Sequence, residues 1–181
     1  MGLAVRSTSQ VAGQTTATFS LTAPAGLADG DLVVIFQDTY LAGGLAPASP
    51  GETWSALGTL SYNLAGHSLN VWYKTASGEP ASWTLNNASG GVMPASSATA
   101  FAVSGGASYE GSASASGTGT SADPGAYTTT NANDLILTAW AIPTNVGDTI
   151  TPHASYTAVG RIGGGSEAQN AGSKAQAVAG A

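Results

Sequence analysis

The chain has 181 residues, with 4 Lys or Arg against 10 Asp or Glu and a formal charge of −6. Only 8% of its residues are charged and none is cysteine. So few cations cannot neutralise a run of phosphates, which excludes nucleic-acid binding and argues against an anionic membrane surface. Without cysteine there is no disulfide, thiolate zinc site or thiol nucleophile.

The length suits a single domain. Glycine numbers 25 and the mean hydropathy is +0.10. A chain poor in charge but not strongly polar is a folded domain with a small core and a Ser/Thr/Ala/Gly skin, not a disordered one. No apolar run reaches the ~20 residues that a spanning helix needs. The opening Met1-Gly-Leu-Ala-Val-Arg6 lacks a basic region followed by an apolar stretch, so no signal peptide is read there.

Residues 1–14 carry no clear period and are expected to form an N-terminal arm. Thr15-Thr-Ala-Thr-Phe-Ser-Leu-Thr22 alternates, with Phe19 and Leu21 on one face, and predicts a half-buried strand. Ala28-Asp-Gly-Asp31 is a turn. The unbroken apolar run Leu32-Val-Val-Ile-Phe36 predicts a strand covered on both faces. A Gly/Pro-rich loop at 43–51 leads to a weak strand at 53–60. Ser68-Leu-Asn-Val-Trp-Tyr-Lys-Thr75 is a stronger strand, with Leu69, Val71 and Tyr73 opposite Trp72.

A turn at Ser77-Gly-Glu-Pro80 precedes Ser82-Trp-Thr-Leu-Asn86, and Ser97-Ala-Thr-Ala-Phe-Ala-Val-Ser104 alternates small and apolar residues. Residues 105–124 are low in complexity and predict a surface excursion. At that length the excursion either carries a function or packs on a neighbouring subunit. Asp134-Leu-Ile-Leu-Thr-Ala-Trp-Ala-Ile142 is a second continuous apolar run, and a short strand follows near Ser155-Tyr-Thr-Ala-Val159. The tail from residue 163 to residue 181 is ambiguous. Its alanines favour helix, but Gly172 and the lack of an apolar stripe oppose one. Around nine short runs separated by turns predict an all-β fold, an antiparallel jelly-roll-like β-sandwich occupying residues 15–162 as one domain. No fixed-period repeat is evident.

Gly30-Asp-Leu-Val-Val-Ile-Phe36, Val71-Trp-Tyr-Lys-Thr-Ala-Ser-Gly-Glu-Pro-Ala-Ser-Trp-Thr-Leu85, Ala98-Thr-Ala-Phe-Ala-Val-Ser-Gly105 and Thr128-Thr-Thr-Asn-Ala-Asn-Asp-Leu-Ile-Leu137 stand in this order. The series resembles a β-sandwich module of tailed-phage virion proteins, found in head decoration, minor tail and fibre-associated proteins. The resemblance covers roughly residues 15 to 160. Its most specific part is the tyrosine-lysine strand followed by Gly-Glu-Pro-Ala-Ser and an aromatic strand. It implies a structural role at the virion surface and brings no catalytic residues. The departure from that family lies at the C-terminus, where its members close with a further apolar strand after the Ala-Gln-Ala segment and this sequence stops at Ala181, so that a neighbouring chain is expected to complete the sheet. The tail is therefore expected to pair as a strand, in cis or with a neighbouring subunit.

Site chemistry is sparse. His67 and His153 stand apart, no Gly-x-Ser-x-Gly elbow occurs, and two dispersed histidines do not suggest zinc. Neither catalytic nor metal residues nor a cofactor are expected. The carboxylates are scattered and no motif marks a glycosidase pair. Asp29-Gly-Asp31 could meet Asp38 or Asp148 at a calcium ion, but reads better as a hairpin turn. Gly163-Gly-Gly165 lacks the strand, helix and lysine of a phosphate-binding loop.

The aromatics are the informative residues. Trp54, Trp72, Trp83 and Trp140, with Tyr62, Tyr73, Tyr109 and Tyr127, serve either as core or as a sugar-stacking platform. Trp72, Trp54, Tyr109 and Tyr127 are the candidates for ligand or subunit contact. The expectation is a non-enzymatic capsid decoration protein, with a tail- or fibre-associated host-glycan-binding module as the alternative. The expected partners are copies of the chain (a trimer on virion grounds) and capsid or tail proteins, with a host-surface glycan on the alternative reading. An enzyme is the third and least supported reading.

Overall fold

A computed structural model describes residues 2–40, 47, 52–60, 67–86, 96–114, 128–143, 155–164 and 167–175. Among these residues every regular element is a strand. The ten are β1 (Ala4–Gln14), β2 (Thr18–Thr22), β3 (Leu32–Tyr40), β4 (Ser55–Leu60), β5 (His67–Thr75), β6 (Ser82–Asn86), β7 (Ser96–Ser104), β8 (Leu135–Pro143), β9 (Thr157–Gly164) and β10 (Glu167–Ala175). All pairings are antiparallel. The strands form a five-stranded sheet ordered β1-β7-β3-β5-β4, a three-stranded sheet β8-β10-β9 and a two-stranded ribbon β2-β6.

The five-stranded sheet is the middle layer. On β3, Val33 and Ile35 face one core while Leu32, Val34 and Phe36 face another. The first core is closed by Phe19 and Leu21 of β2 and by Trp83 and Leu85 of β6. The second is closed by Ala171 of β10, with Leu135, Leu137, Ala139 and Ala141 of β8 packed against it. A strand buried on both sides needs apolar residues at every position, which is why Leu32 to Phe36 does not alternate. On β7, Ala98 and Ala100 lie in the first core, while Phe101 and Val103 fill the second. Phe101 stands edge-on to Phe36 at 5.9 Å.

Residues 1–14 are not an arm. Ala4–Gln14 is β1, paired along β7 from Ala4↔Ser104 to Gln14↔Ser96. Its register slips between Val5 and Ser7, and a slip of one residue exchanges the two faces of a strand. Val5 therefore packs on the second core and Val11 on the first, although both are odd-numbered. No single period in the sequence could have shown this.

Within the tail, Glu167–Ala175 is a strand paired in cis, and residues 165–166 and 176–181 lie outside the described residues. β10 runs between β8 and β9 and is the central strand of its sheet. Its small residues allow close approach. A Cβ added at Gly172 would stand 3.1 Å from the Thr157 carbonyl oxygen and 3.5 Å from Tyr156 Cβ. In the excursion expected at 105–124, residues 105–114 form no strand, and the rest lies outside the described residues.

Candidate functional site

Trp72 and Tyr73 point to opposite faces of β5, as adjacent strand residues must. Trp72 packs against the first core and Tyr73 against the second. Trp54, just before β4, also packs on the first core. It stands edge-on to Trp83, with ring centroids 5.6 Å apart and planes at 89°. Two perpendicular rings do not make a flat stacking surface.

These tryptophans belong to a charged cluster that composition does not reveal. Lys74 Nζ lies 2.8 Å from Glu79 Oε1, 3.3 Å from Glu52 Oε2 and 5.3 Å from the centre of the Trp54 ring. The Trp54 indole donates to Glu52 Oε2 at 3.1 Å, and the Trp83 indole to Glu79 Oε2 at 3.0 Å. The Ser77 backbone N–H donates to Glu79 Oε1 at 3.0 Å. Side chains of all three charged residues are nearly buried, at 11% exposure for Lys74, 10% for Glu52 and 6% for Glu79. Burial pushes the Glu79 carboxyl up, but hydrogen bonds from Lys74, Ser77 and Trp83 together hold it below the usual carboxylate range. The only sequence signal for this cluster was the Lys-Thr-Ala-Ser-Gly-Glu-Pro string, whose turn residues concealed a buried acid.

Tyr109 sits on Tyr73, with centroids 5.4 Å apart and planes at 36°. At 39% exposure it is the exposed large hydrophobic residue of the described part, and its hydroxyl donates to Ser112 Oγ at 3.0 Å. Next to it, Glu110 anchors the segment to the turn before β8. Its Oε1 accepts from Thr130 N at 2.6 Å and Thr130 Oγ1 at 2.7 Å, and its Oε2 accepts from Asn131 Nδ2 at 3.1 Å. The bonds from Thr130, joined by those from Asp134 and Asn131, lower the Glu110 carboxyl to about 2. Desolvation and the neighbouring Glu110 raise Asp134. Described residues of the excursion thus pack on their own chain.

The Asp29-Gly-Asp31 turn spends both carboxylates on structure. Asp31 Oδ2 accepts from Arg6 Nε at 2.7 Å and from Ala28 N at 3.0 Å, while Asp29 Oδ1 accepts from Gly78 N at 2.8 Å. The hydrogen bond from Arg6 lowers Asp31. Asp38 lies at the far end of β3, fully buried. Tyr127, Asp148 and His153 lie outside the described residues. Among the described residues no three His, Asp or Glu side chains gather in a way that could hold a metal ion.

The candidates thus divide. Trp54 joins the Lys74 cluster, Trp72 faces the first core and Tyr109 caps Tyr73, so no shared site unites them. No protein-family model, curated protein or solved structure matches this chain.

Proposed function

We propose that this chain is a non-enzymatic structural protein of a tailed-phage virion, a capsid decoration protein that cements the shell from its outer surface. The observation that carries the reading is the use of the reactive side chains. Lys74, Glu52 and Glu79 are locked together under two indoles, and Arg6 is held by Asp31. Groups neutralised in this way brace a fold and leave little for chemistry on a substrate.

The strand pairing supports a jelly-roll-like reading of the sandwich. β1 with β7, β2 with β6 and β3 with β5 nest inside one another, as in a long hairpin wrapped onto two layers. The order β1-β7-β3-β5 in one layer and β2-β6 in the facing one follows from that wrapping. The sheet β8-β10-β9 is then an addition that covers the opposite face.

A surface with few charges and many small side chains can be buried at low cost in side-chain entropy, and many modest contacts repeated over a lattice add up. The glycan-binding alternative needs exposed, coplanar rings. Trp54 and Trp83 are perpendicular, and Trp72 packs against the core.

The test is co-sedimentation of the purified chain with shells of the encoding phage that lack it. Saturable occupancy, together with shells that resist heat better, is the expected result. Shells that sediment bare at every protein concentration overturn the proposal.

A further inference from the structure

Unpaired strand edges invite other strands, and folded proteins blunt them with bulges, charges, proline or short length. Most edges here are blunted. β1 carries Arg6 and two register slips, and its Ser7 and Ser9 hydroxyls donate to the carbonyls of Ala25 and Thr22. β4 is short and irregular between Ala56 and Thr59. β2 and β6 have five residues each. β9 contains Arg161 and faces a register slip at Ala171/Gly172.

β8 differs. It has nine residues, Leu-Ile-Leu-Thr-Ala-Trp-Ala-Ile-Pro, without a charge, and its register with β10 is unbroken from Leu135 to Pro143. Among the described residues no strand pairs with it on the side away from β10. In an antiparallel pair every second residue turns its N–H and C=O outward, so that side offers a regular row of donors and acceptors.

We infer that β8 pairs with β8 of a second copy, antiparallel and centred on Ala139, joining two three-stranded sheets into one of six strands. That register is self-complementary. Each Thr138 opposes the partner's Trp140, and Ile136 stands two positions further along the same face. Aromatic with β-branched is a favourable cross-strand pair. The core-side partners are Leu137 with Ala141 and Ala139 with itself, all small or apolar.

Charge selects the same orientation. The chain carries −6, and acids flank β8 at both ends, Asp134 immediately before the strand and Glu167 paired with Pro143 at its far end. Antiparallel pairing sets the two Asp134 residues ten positions apart along the ribbon, about 34 Å at about 3.4 Å per residue and well beyond a Debye length, and leaves each two strand spacings, about 10 Å, from the partner's Glu167. Parallel pairing would set them side by side. An isologous contact closes at two copies, in place of the trimer expected on virion grounds.

This inference rests on the reading of the chain as a self-associating structural protein, and the two fail separately. A monomer that still coats shells removes only the β8 contact, and a β8 dimer that ignores shells removes only the decorating role.

The test is native mass spectrometry and sedimentation of the full chain at tens of micromolar, beside Ile136→Glu. Ile136 pairs with Lys174 on β10, so a glutamate there faces an opposite charge within its own sheet while setting a new charge at the seam between copies. The expected result is a dimer for the native chain and a monomer with an unchanged circular dichroism spectrum for the variant. Amide exchange gives a second reading without any substitution, since alternate β8 amides should exchange faster when the native chain is diluted. A native monomer or trimer, a folded variant that stays dimeric, or β8 exchange independent of concentration overturns the inference.

Discussion

Lys74 and Glu79 form an ion pair of 2.8 Å across the turn between β5 and β6, and the same ammonium reaches Glu52 ahead of β4. The turn is closed as much by side chains as by its backbone. Glu79 occupies the centre of this arrangement because it alone accepts from an ammonium, a backbone N–H and an indole.

Replacing Glu79 by alanine should therefore destabilise the domain by about 3 kcal/mol, the range for removing one partner of a buried pair. Glu52 remains to hold Lys74, which keeps the loss from being larger. Glu79→Gln, which can still accept from Trp83, should lose less. Urea unfolding of the three proteins measures the differences. The sign of the pH effect follows from the lowered Glu79 value. Its contribution is present above the ordinary 4.5 and is lost as pH falls through the folded value, so native and Glu79→Gln stabilities should converge in acid.

Gly105 gives a second prediction. Its φ is +103°, and a Cβ there would stand 2.9 Å from the Gly2 carbonyl oxygen. Both the backbone conformation and the close approach exclude a side chain. Gly105→Ala should lower stability by about 2–4 kcal/mol by strain and displacement of the N-terminal end of β1. Gly30, also at positive φ (+86°) but with open space around its Cβ position, is the control. Gly30→Ala should lose only the conformational part, about 1 kcal/mol. Equal losses at the two positions would show that the Gly2 approach is unimportant.

These positions also show what the sequence could carry. β6 was legible as Ser82 to Asn86 because Trp83 and Leu85 alternate strictly with polar neighbours. β3 was legible because an apolar run without alternation signals burial on both faces. β1 was hidden by its slip near Arg6, which places Val5 and Val11 on different cores. β10 was hidden because its place in the sheet depends on backbone pairing and on small residues such as Gly172, with no large apolar side chain to mark a face. The site followed the same rule. Trp54 and Trp72 stood out as aromatics, yet their orientation depends on contacts distant in sequence. The importance of Glu79 comes from Lys74, Ser77 and Trp83 meeting in space.

Tyr109 and Tyr73 allow a direct measure of how firmly the excursion is held. Their rings lie 5.4 Å apart, and Tyr109 is partly exposed. Tyr109→Ala should lower stability by about 1 kcal/mol, the worth of one aromatic pair. A double-mutant cycle with Tyr73→Leu should return a coupling of similar size. A coupling near zero would mean that Glu110 alone holds the segment.

Glu110 and Asp134 set a pH window for that segment. Glu110 is lowered to about 2 from 4.5, so its contribution is complete above 4.5 and is lost as pH falls toward 2. Asp134 is raised from 3.8, so its contribution is complete below 3.8 and is lost as pH rises through the folded value. The two slopes oppose each other. Docking should be firmest where they cross, between the ordinary values of 3.8 and 4.5, weakening on both sides. Amide exchange at Thr130 and Asn131, corrected for intrinsic rates, should show maximal protection there. Asp134→Asn cannot ionise yet can still accept from the Asn131 N–H and donate to Glu110. It should abolish the decline toward neutral pH and leave the acid limb intact. Persistence of the neutral decline in Asp134→Asn would place its origin in a group other than this pair.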